Sequence, residues 1–496
     1  MIGPRQKPVL ILALALLVVA TVARVTAAIL TRGEIDPVSE TWLALAFDAS
    51  QGVIYRPLLG VDGYGGTRYF PLQFLLHGGL LRIFGDAILS GYAITCASLC
   101  GLLGAAYLGL LRAGLSRAAA ASASILLLAS AAVQIAIVAM KGDLLPAALA
   151  LGGFVCCVRA SGSPRWWLAS AAGVLFGFAF LAKVTSIAGP LAGVAILLCA
   201  NRFRLAVLVV ASTLAVAGLG LFAVQFFSDG RFISVFAACA SGGMGIREVL
   251  RAPYGFLRNV WFLSSVSIPL SILAVIAFPS LGMRLRSEPW SIYLLCVFAM
   301  TLAIHTTYGV ELNHLIDLEV ASVMWLASRV SKAHAVARLA PSASAVVAFV
   351  AAFNLLTAPA WGLLRRPDSG RGTANAAAAA LAKTYPGKIL STAPLIPVLA
   401  GQRSFLLDHW MFELLEKTRG GFVHDLQERI RRRDFSAVVL RVGPGDPLAD
   451  VDAWLGSGTL ATINQAYPEK RRIGDLEVRL HPVETGSGEI RAPSSN

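Results

Sequence analysis

From Pro8 to Trp361 the chain alternates apolar runs of about 17–24 residues with short connections, and its charges fall almost entirely in the connections. A bilayer core of ~30 Å takes about 20 apolar residues per helix, and this stretch supplies enough for roughly eleven. The runs lie at about 8–30, 88–111, 118–139, 143–158, 166–182, 185–200, 205–227, 258–281, 290–306, 314–330 and 340–361. The chain is 56% hydrophobic and only 14% charged, against about 25% charge in an ordinary soluble domain. The expected fold class is a polytopic α-helical membrane protein of about 11 transmembrane helices. Run 8–30 is too long for a signal-peptide core and reads as a retained first span. Residues 166–200 would make a single helix of about 50 Å, so a break is expected at Lys183, which Thr185 and Ser186 follow.

The charges assign sides. With the N-terminus inside (Arg5, Lys7), alternate connections carry Arg112 and Arg117, Arg159 and Arg165, Arg202 and Arg204, Arg284 and Arg286, then Arg329, Lys332 and Arg338. Every inner turn is basic, as positive-inside insertion requires. The net charge of +14 is thereby explained without nucleic acid. The opposite side receives the first loop 31–87, the turn at Lys141 and Asp143, Lys183, the loop 228–257, the segment from His305 to His314, and everything beyond Trp361. Within the first loop, 71–84 is apolar but only about 14 residues long. It suits a helix at the interface or packed on the bundle.

Residues 1–361 are thus read as the membrane module and 362–485 as a small extracytoplasmic α/β domain, with 486–496 a disordered tail. The α/β reading rests on charged helical stretches at 409–417 and 423–433 and β-like runs at 388–391, 437–441 and 476–480, punctuated by Gly and Pro. An Ala-rich helix at 374–382 leads into it. It has no P-loop and no GxGxxG after a strand, so nothing there points to a nucleotide. The seven cysteines, Cys96, Cys100, Cys156, Cys157, Cys199, Cys239 and Cys296, fit neither a disulfide framework nor a zinc site and read as small buried hydrophobes.

Ionisable groups at membrane depth are expensive and are functional candidates by default. Glu34, Asp36 and Glu40 follow the first span. A helix starting near Pro37 would put Glu40 one turn in, on the side of Asp36, where a carboxylate can act as general base; the alternative is three solvated loop acids. Asp143 opens a span, as a buried acid or simply an N-cap. Lys183 can neutralise a phosphate as a compact charge or snorkel from a helix end. His305, Tyr308, Glu311, Asn313, His314, Asp317 and Glu319 crowd one span boundary, without a metal-binding helix spacing. Tyr55, Tyr64, Gly65, Gly66, Arg68, Tyr69 and Phe70 suit sugar stacking and hydrogen bonding, or an interfacial aromatic belt.

Taken in order, these motifs resemble the GT-C superfamily of integral membrane glycosyltransferases, on the branch of bacterial protein O-mannosyltransferase and aminoarabinose-transferase relatives. The first loop carries Asp36 and Glu40, then Gly52-Val-Ile-Tyr55, Tyr69-Phe-Pro-Leu72 and Phe84-Gly85. Lys141-Gly-Asp143 opens the fourth span, Ala182-Lys-Val-Thr185 marks a break, and Gly309-Val-Glu-Leu-Asn313 precedes a late span. Tail segments 389–410 and 431–440 are similar to extracytoplasmic domains of such proteins. The family's first-loop acids are usually adjacent; here Ser39 precedes Glu40, and Asp36 lies earlier. Register from Gly52 favours Glu40 as the base, with Asp36 the competitor.

The resemblance implies transfer of a sugar from a polyprenyl-phosphate donor to an acceptor hydroxyl on a lipid, glycan or protein. The reaction would lie on the outer face of a bacterial inner membrane. Glu40 or Asp36 would take the acceptor proton. Lys183, with Lys141 or Arg68, would stabilise the lipid phosphate. Asp143, Tyr55, Tyr69, His305, Glu311, Asn313 and His314 would contact substrate, and Mg or Mn could join Asp143 if a metal is used. The rival is a transporter or lipid flippase, which predicts two related halves with discontinuous helices and midplane charges; no internal repeat is visible.

Overall fold

A computed structural model describes residues 6–33, 35–240, 246–262, 267–277, 288–307, 310, 312–336, 369–385, 387–442 and 449–481. The chain is mostly helical and forms two compact units. One comprises residues 1–30, 69–227 and 243–367, and the other 31–68, 228–242 and 368–496.

In the first unit four helices among the described residues are long and apolar enough to cross a bilayer: Ile11–Thr31, Ala87–Arg112, Leu144–Gly162 and Phe203–Phe227. A fifth crossing arises if Arg117–Ala129 and Ala131–Val138, bent by 69° at Ser130, form one span. The expected count of eleven is not reached by length. Trp166–Ala182 (17 residues) and Ala188–Cys199 (12 residues) are separate short helices on either side of Lys183, about 26 and 18 Å long at 1.5 Å per residue. Pro289–Ile304 is also short, and run 340–361 lies outside the described residues. Of the span expected at 258–281, residues 258–262 belong to a helix that starts earlier, Ile246–Phe262, and 267–277 to the helix Ser267–Ala277, while 263–266 and 278–281 lie outside the described residues. Apolar residues recur at helical spacing on both sides of Arg247, Arg251 and Arg258, so the helix continues back through what reads as loop. Most of the expected loop 228–257 is helical, since Arg231–Ala240 precedes it.

Small residues let the helices of this unit approach closely, as membrane packing favours. A Cβ on Gly177 would meet the Val216 Cβ at 2.6 Å, which places Trp166–Ala182 directly on Phe203–Phe227. Phe154 stacks on Tyr293 with ring centroids 4.6 Å apart. The helix Pro71–Phe84 packs on Ala87–Arg112 and Trp166–Ala182, and its buried His77 bonds to the Ala87 carbonyl at 2.7 Å.

The second unit is built on a four-stranded sheet of order β1-β2-β4-β3, with β1 Lys388–Ser391, β2 Phe435–Arg441, β3 Glu469–Ile473 and β4 Leu476–Leu480. β1 pairs parallel with β2, and the other pairs are antiparallel. β2 is buried along its whole length, the reason its sequence is a near-continuous apolar run rather than an alternation. Helix Ser369–Lys383 covers one face, setting Ala378 and Ala382 against Ala437, Val439 and Val478. β3 is a charged edge strand, which discourages further pairing.

Residues 31–68 of the first loop belong to this unit. Its helix Pro37–Ser50 packs on Leu395–Leu399. Tyr64 donates its backbone N–H to the Phe405 carbonyl at 2.8 Å. Buried Arg56 pairs with Asp48 at 2.6 Å and donates to the Ser404 carbonyl at 2.6 Å.

Candidate active site

Each unit holds a buried polar constellation that contains residues singled out in the sequence. In the second unit it starts at Asp36, the N-cap of Pro37–Ser50, whose Oδ1 accepts from the Ser39 N–H at 2.7 Å and the Ser39 hydroxyl at 2.8 Å. Pro37 at the first helical position fits because it has no N–H to satisfy. Asp36 is half-buried, whereas Glu40, one turn on, is 0% exposed. The Glu40 Oε1 lies 2.7 Å from an Arg441 guanidinium nitrogen, yet neither carboxylate oxygen completes a well-angled hydrogen bond. Asp475 closes the group, 3.8 Å from Arg441 and 3.6 Å from Arg371. Burial pushes the Glu40 carboxyl above its ordinary range, and the Arg441 and Arg371 charges only partly oppose this.

In the first unit the constellation forms where helices break. Asp143 precedes Leu144–Gly162, but its side chain makes no cap bond. Instead its Oδ1 accepts from the Lys183 ammonium at 2.8 Å, and the Asn313 amide spans both oxygens at 3.0 and 2.9 Å. Lys183 caps the end of Trp166–Ala182 in extended conformation, and its side chain is 20% exposed against 6% for Asp143. His314 and Asp317 are close enough to interact electrostatically with Asp143. Lys141 is buried in the turn just before it.

The other sequence-predicted residues are distributed differently. The His305 ring donates from Nδ1 to the Thr301 carbonyl at 2.7 Å and accepts at Nε2 from the Asn259 amide at 3.2 Å. Both nitrogens are therefore engaged, Nδ1 with its own helix and Nε2 with the helix Ile246–Phe262. Tyr55 is buried, with its ring 5.0 Å from that of Phe232, and Tyr69 is half-buried. Arg68 is exposed and acts electrostatically on Asp408 and Cys239. Glu311, Tyr308 and Glu34 lie outside the described residues. Gly65 serves packing: a Cβ there would meet the Arg56 Cβ at 2.4 Å. Among the described residues no three His, Cys, Asp or Glu side chains converge as metal ligands.

Sequence reasoning missed Arg441, Arg371 and Asp475. A signal existed for the first: Arg441 ends an otherwise apolar strand, where a charge needs a partner.

The chain shares its fold with solved integral membrane glycosyltransferases of the GT-C type. Aminoarabinose transferase ArnT from Cupriavidus metallidurans, solved with undecaprenyl phosphate, superimposes with a TM-score of 0.62 at 12% identity, over 97% of this chain and 99% of that one. Its apo form gives 0.61 at 12% identity over 94% and 97%. The archaeal oligosaccharyltransferase AglB from Archaeoglobus fulgidus, in complex with an inhibitory peptide and a dolichol-phosphate, gives 0.56 at 12% identity over 91% of this chain and 71% of that one. No family model and no curated protein sequence matches the chain.

Proposed function

We propose that the protein is a glycosyltransferase that moves a sugar from a polyprenyl-phosphate donor to an acceptor hydroxyl. It would work on the extracytoplasmic face of a bacterial inner membrane, with the N-terminus cytoplasmic and the sheet unit outside. The fold supports the class, since its solved relatives include enzymes holding undecaprenyl phosphate or dolichol-phosphate. The observation that carries the reading is the Lys183–Asp143–Asn313 group at a helix break. A partly exposed ammonium held there beside apolar helices suits the phosphate of a lipid carrier.

In the reaction the acceptor oxygen attacks the anomeric carbon as its proton passes to a carboxylate. The bond from that carbon to the phosphate oxygen breaks, and the lipid phosphate leaves with the electron pair, stabilised by Lys183. A base must reach the acceptor. Asp36 has solvent access while Glu40 is sealed against Arg441, so Asp36 takes the base role and Glu40 holds the start of its helix. The Ser39 N–H and hydroxyl, both donating to its Oδ1, orient Asp36.

The test uses the full chain in nanodiscs with a panel of radiolabelled polyprenyl-phosphate sugars. Selective capture and slow hydrolysis of one donor are expected. Asp36→Asn should keep capture and lose transfer by about 10²–10⁴-fold, the usual worth of a general base. If folded protein captures no donor, the transferase reading fails; if Asp36→Asn transfers normally and Glu40→Gln does not, the base is Glu40.

A further inference from the structure

We propose that the helix Ile246–Phe262 is a docking surface for anionic phospholipid headgroups, lying along one membrane–water boundary rather than crossing the bilayer. Its side chains divide into three stripes at 100° per residue. Ala252, Phe256, Asn259 and Val260 are buried. They face the rest of the first unit, where Phe256 meets Phe298 edge-on at 5.8 Å and Asn259 bonds to His305 at 3.2 Å.

A second stripe consists of Ile246, Leu250, Tyr254, Leu257 and Trp261, exposed by 84, 78, 69, 62 and 85%. Their spacing of four, four, three and four residues keeps them on one line. Immediately beside it, Arg247, Arg251 and Arg258 form a third stripe, all exposed. Glu248 is half-buried and lies beyond the arginines, on the side away from the apolar stripe, so the edge bordering the apolar stripe carries only the three positive charges.

These stripes exclude a crossing helix. A crossing would draw the guanidinium groups of Arg247, Arg251 and Arg258 through hydrocarbon, where each is expensive. Lying flat, the apolar stripe enters the acyl boundary, Tyr254 and Trp261 sit at the level where aromatic rings prefer to be, and the arginines meet headgroup phosphates. Charge selects the occupant: three arginines on one edge complement an anionic lipid surface, each contributing about fivefold (~1 kcal/mol) to binding. The helix also packs on Leu312–Leu315, the segment that brings Asn313 to Asp143. Lipid composition therefore acts on a helix adjoining the Lys183 group.

The experiment is hydrogen exchange of the full chain in nanodiscs of phosphatidylcholine alone or with phosphatidylglycerol. Amides 246–262 should slow in the anionic discs. The gain should fall in high salt for the wild type, and drop roughly fivefold per arginine in the Arg247→Gln, Arg251→Gln, Arg258→Gln variant. Exchange indifferent to lipid charge overturns the proposal, as does a salt-insensitive difference or a triple variant that keeps it. Full protection by one equivalent of polyprenyl phosphate in phosphatidylcholine discs would also overturn it, by assigning the helix to a single lipid ligand.

Discussion

Replacing Arg441 by Met isolates what holds Glu40. The pair is buried, with side chains 10% and 1% exposed at 2.7 Å, so solvent screening removes little of its energy. Unit charges about 4 Å apart at an effective dielectric of about 20 attract by about 4 kcal/mol, and breaking a buried pair from one side typically costs about 3–5 kcal/mol. The two halves are not equivalent. Arg441 keeps Asp475 at 3.8 Å when Glu40 is lost, but among the described residues Glu40 keeps only the weaker, more distant Arg371 charge when Arg441 is lost. Arg441→Met should therefore cost about 3–5 kcal/mol and Glu40→Gln about half of that.

The assay is native-state hydrogen exchange of helix Pro37–Ser50 and strand β2, which reports local opening energies. The sign with pH follows from Glu40, whose carboxyl burial already raises above its ordinary 4.5 and whose chief opposing charge is Arg441. Removing that charge raises it further. Ionised Glu40 is then the destabilising form, so the loss is absent below about pH 4.5 and grows as pH rises through the raised folded value. Equal costs for the two variants, or a deficit in Arg441→Met that persists unchanged at pH 4, would refute this account.

Lys183→Gln should weaken capture of polyprenyl phosphate about tenfold or more, the worth of one charge-assisted hydrogen bond, as read by equilibrium binding in nanodiscs. His305→Ala removes the partner of buried Asn259 and should free the helix Ile246–Phe262 by about 1–3 kcal/mol, seen as faster amide exchange there with little change elsewhere. Gly177→Leu, whose Cβ would lie 2.6 Å from that of Val216, should cost about 1–3 kcal/mol through overpacking and lower the Tm of the detergent-solubilised protein.

What was legible in the sequence was local. Apolar runs give helices because only an internally bonded backbone survives in lipid, and Lys183 reads as a break because an ammonium interrupts such a run. Strands β1, β2 and β4 show as apolar stretches. β3, Glu-Lys-Arg-Arg-Ile, shows no apolar alternation because it is an edge held by β4 alone. The boundary at 258–281 blurred because Val260, Trp261 and Phe262 extend the hydropathy of the following residues, while the arginine stripe is visible only as a spacing of four and seven. Non-local pairs were least accessible: Arg56 with Asp48 and Ser404, or Glu40 with Arg441, join segments whose proximity depends on the fold of a unit assembled from separated stretches of chain. Asp143 shows the same limit, since its position at a helix start predicts a cap, and its partners lie on two other helices' ends.

The neutrality of the Lys183 group raises a further question of mechanism under the transferase reading. Lys183 is already paired, so an arriving phosphate must compete with Asp143 for it. Asn313 makes that exchange inexpensive. Its amide lies 3.0 and 2.9 Å from the two Asp143 oxygens, so the carboxylate stays hydrogen-bonded while the flexible, 20% exposed lysine turns toward phosphate. Without that amide, Asp143 depends on Lys183 alone among the bonds described and holds it more tightly. Asn313→Ala, which changes no charge, should therefore weaken donor capture several-fold, and the paired variant Asp143→Asn, Asn313→Ala should recover it. Undiminished capture by Asn313→Ala would mean that Lys183 does not leave Asp143 to bind phosphate, and the cation for the donor would have to be sought elsewhere.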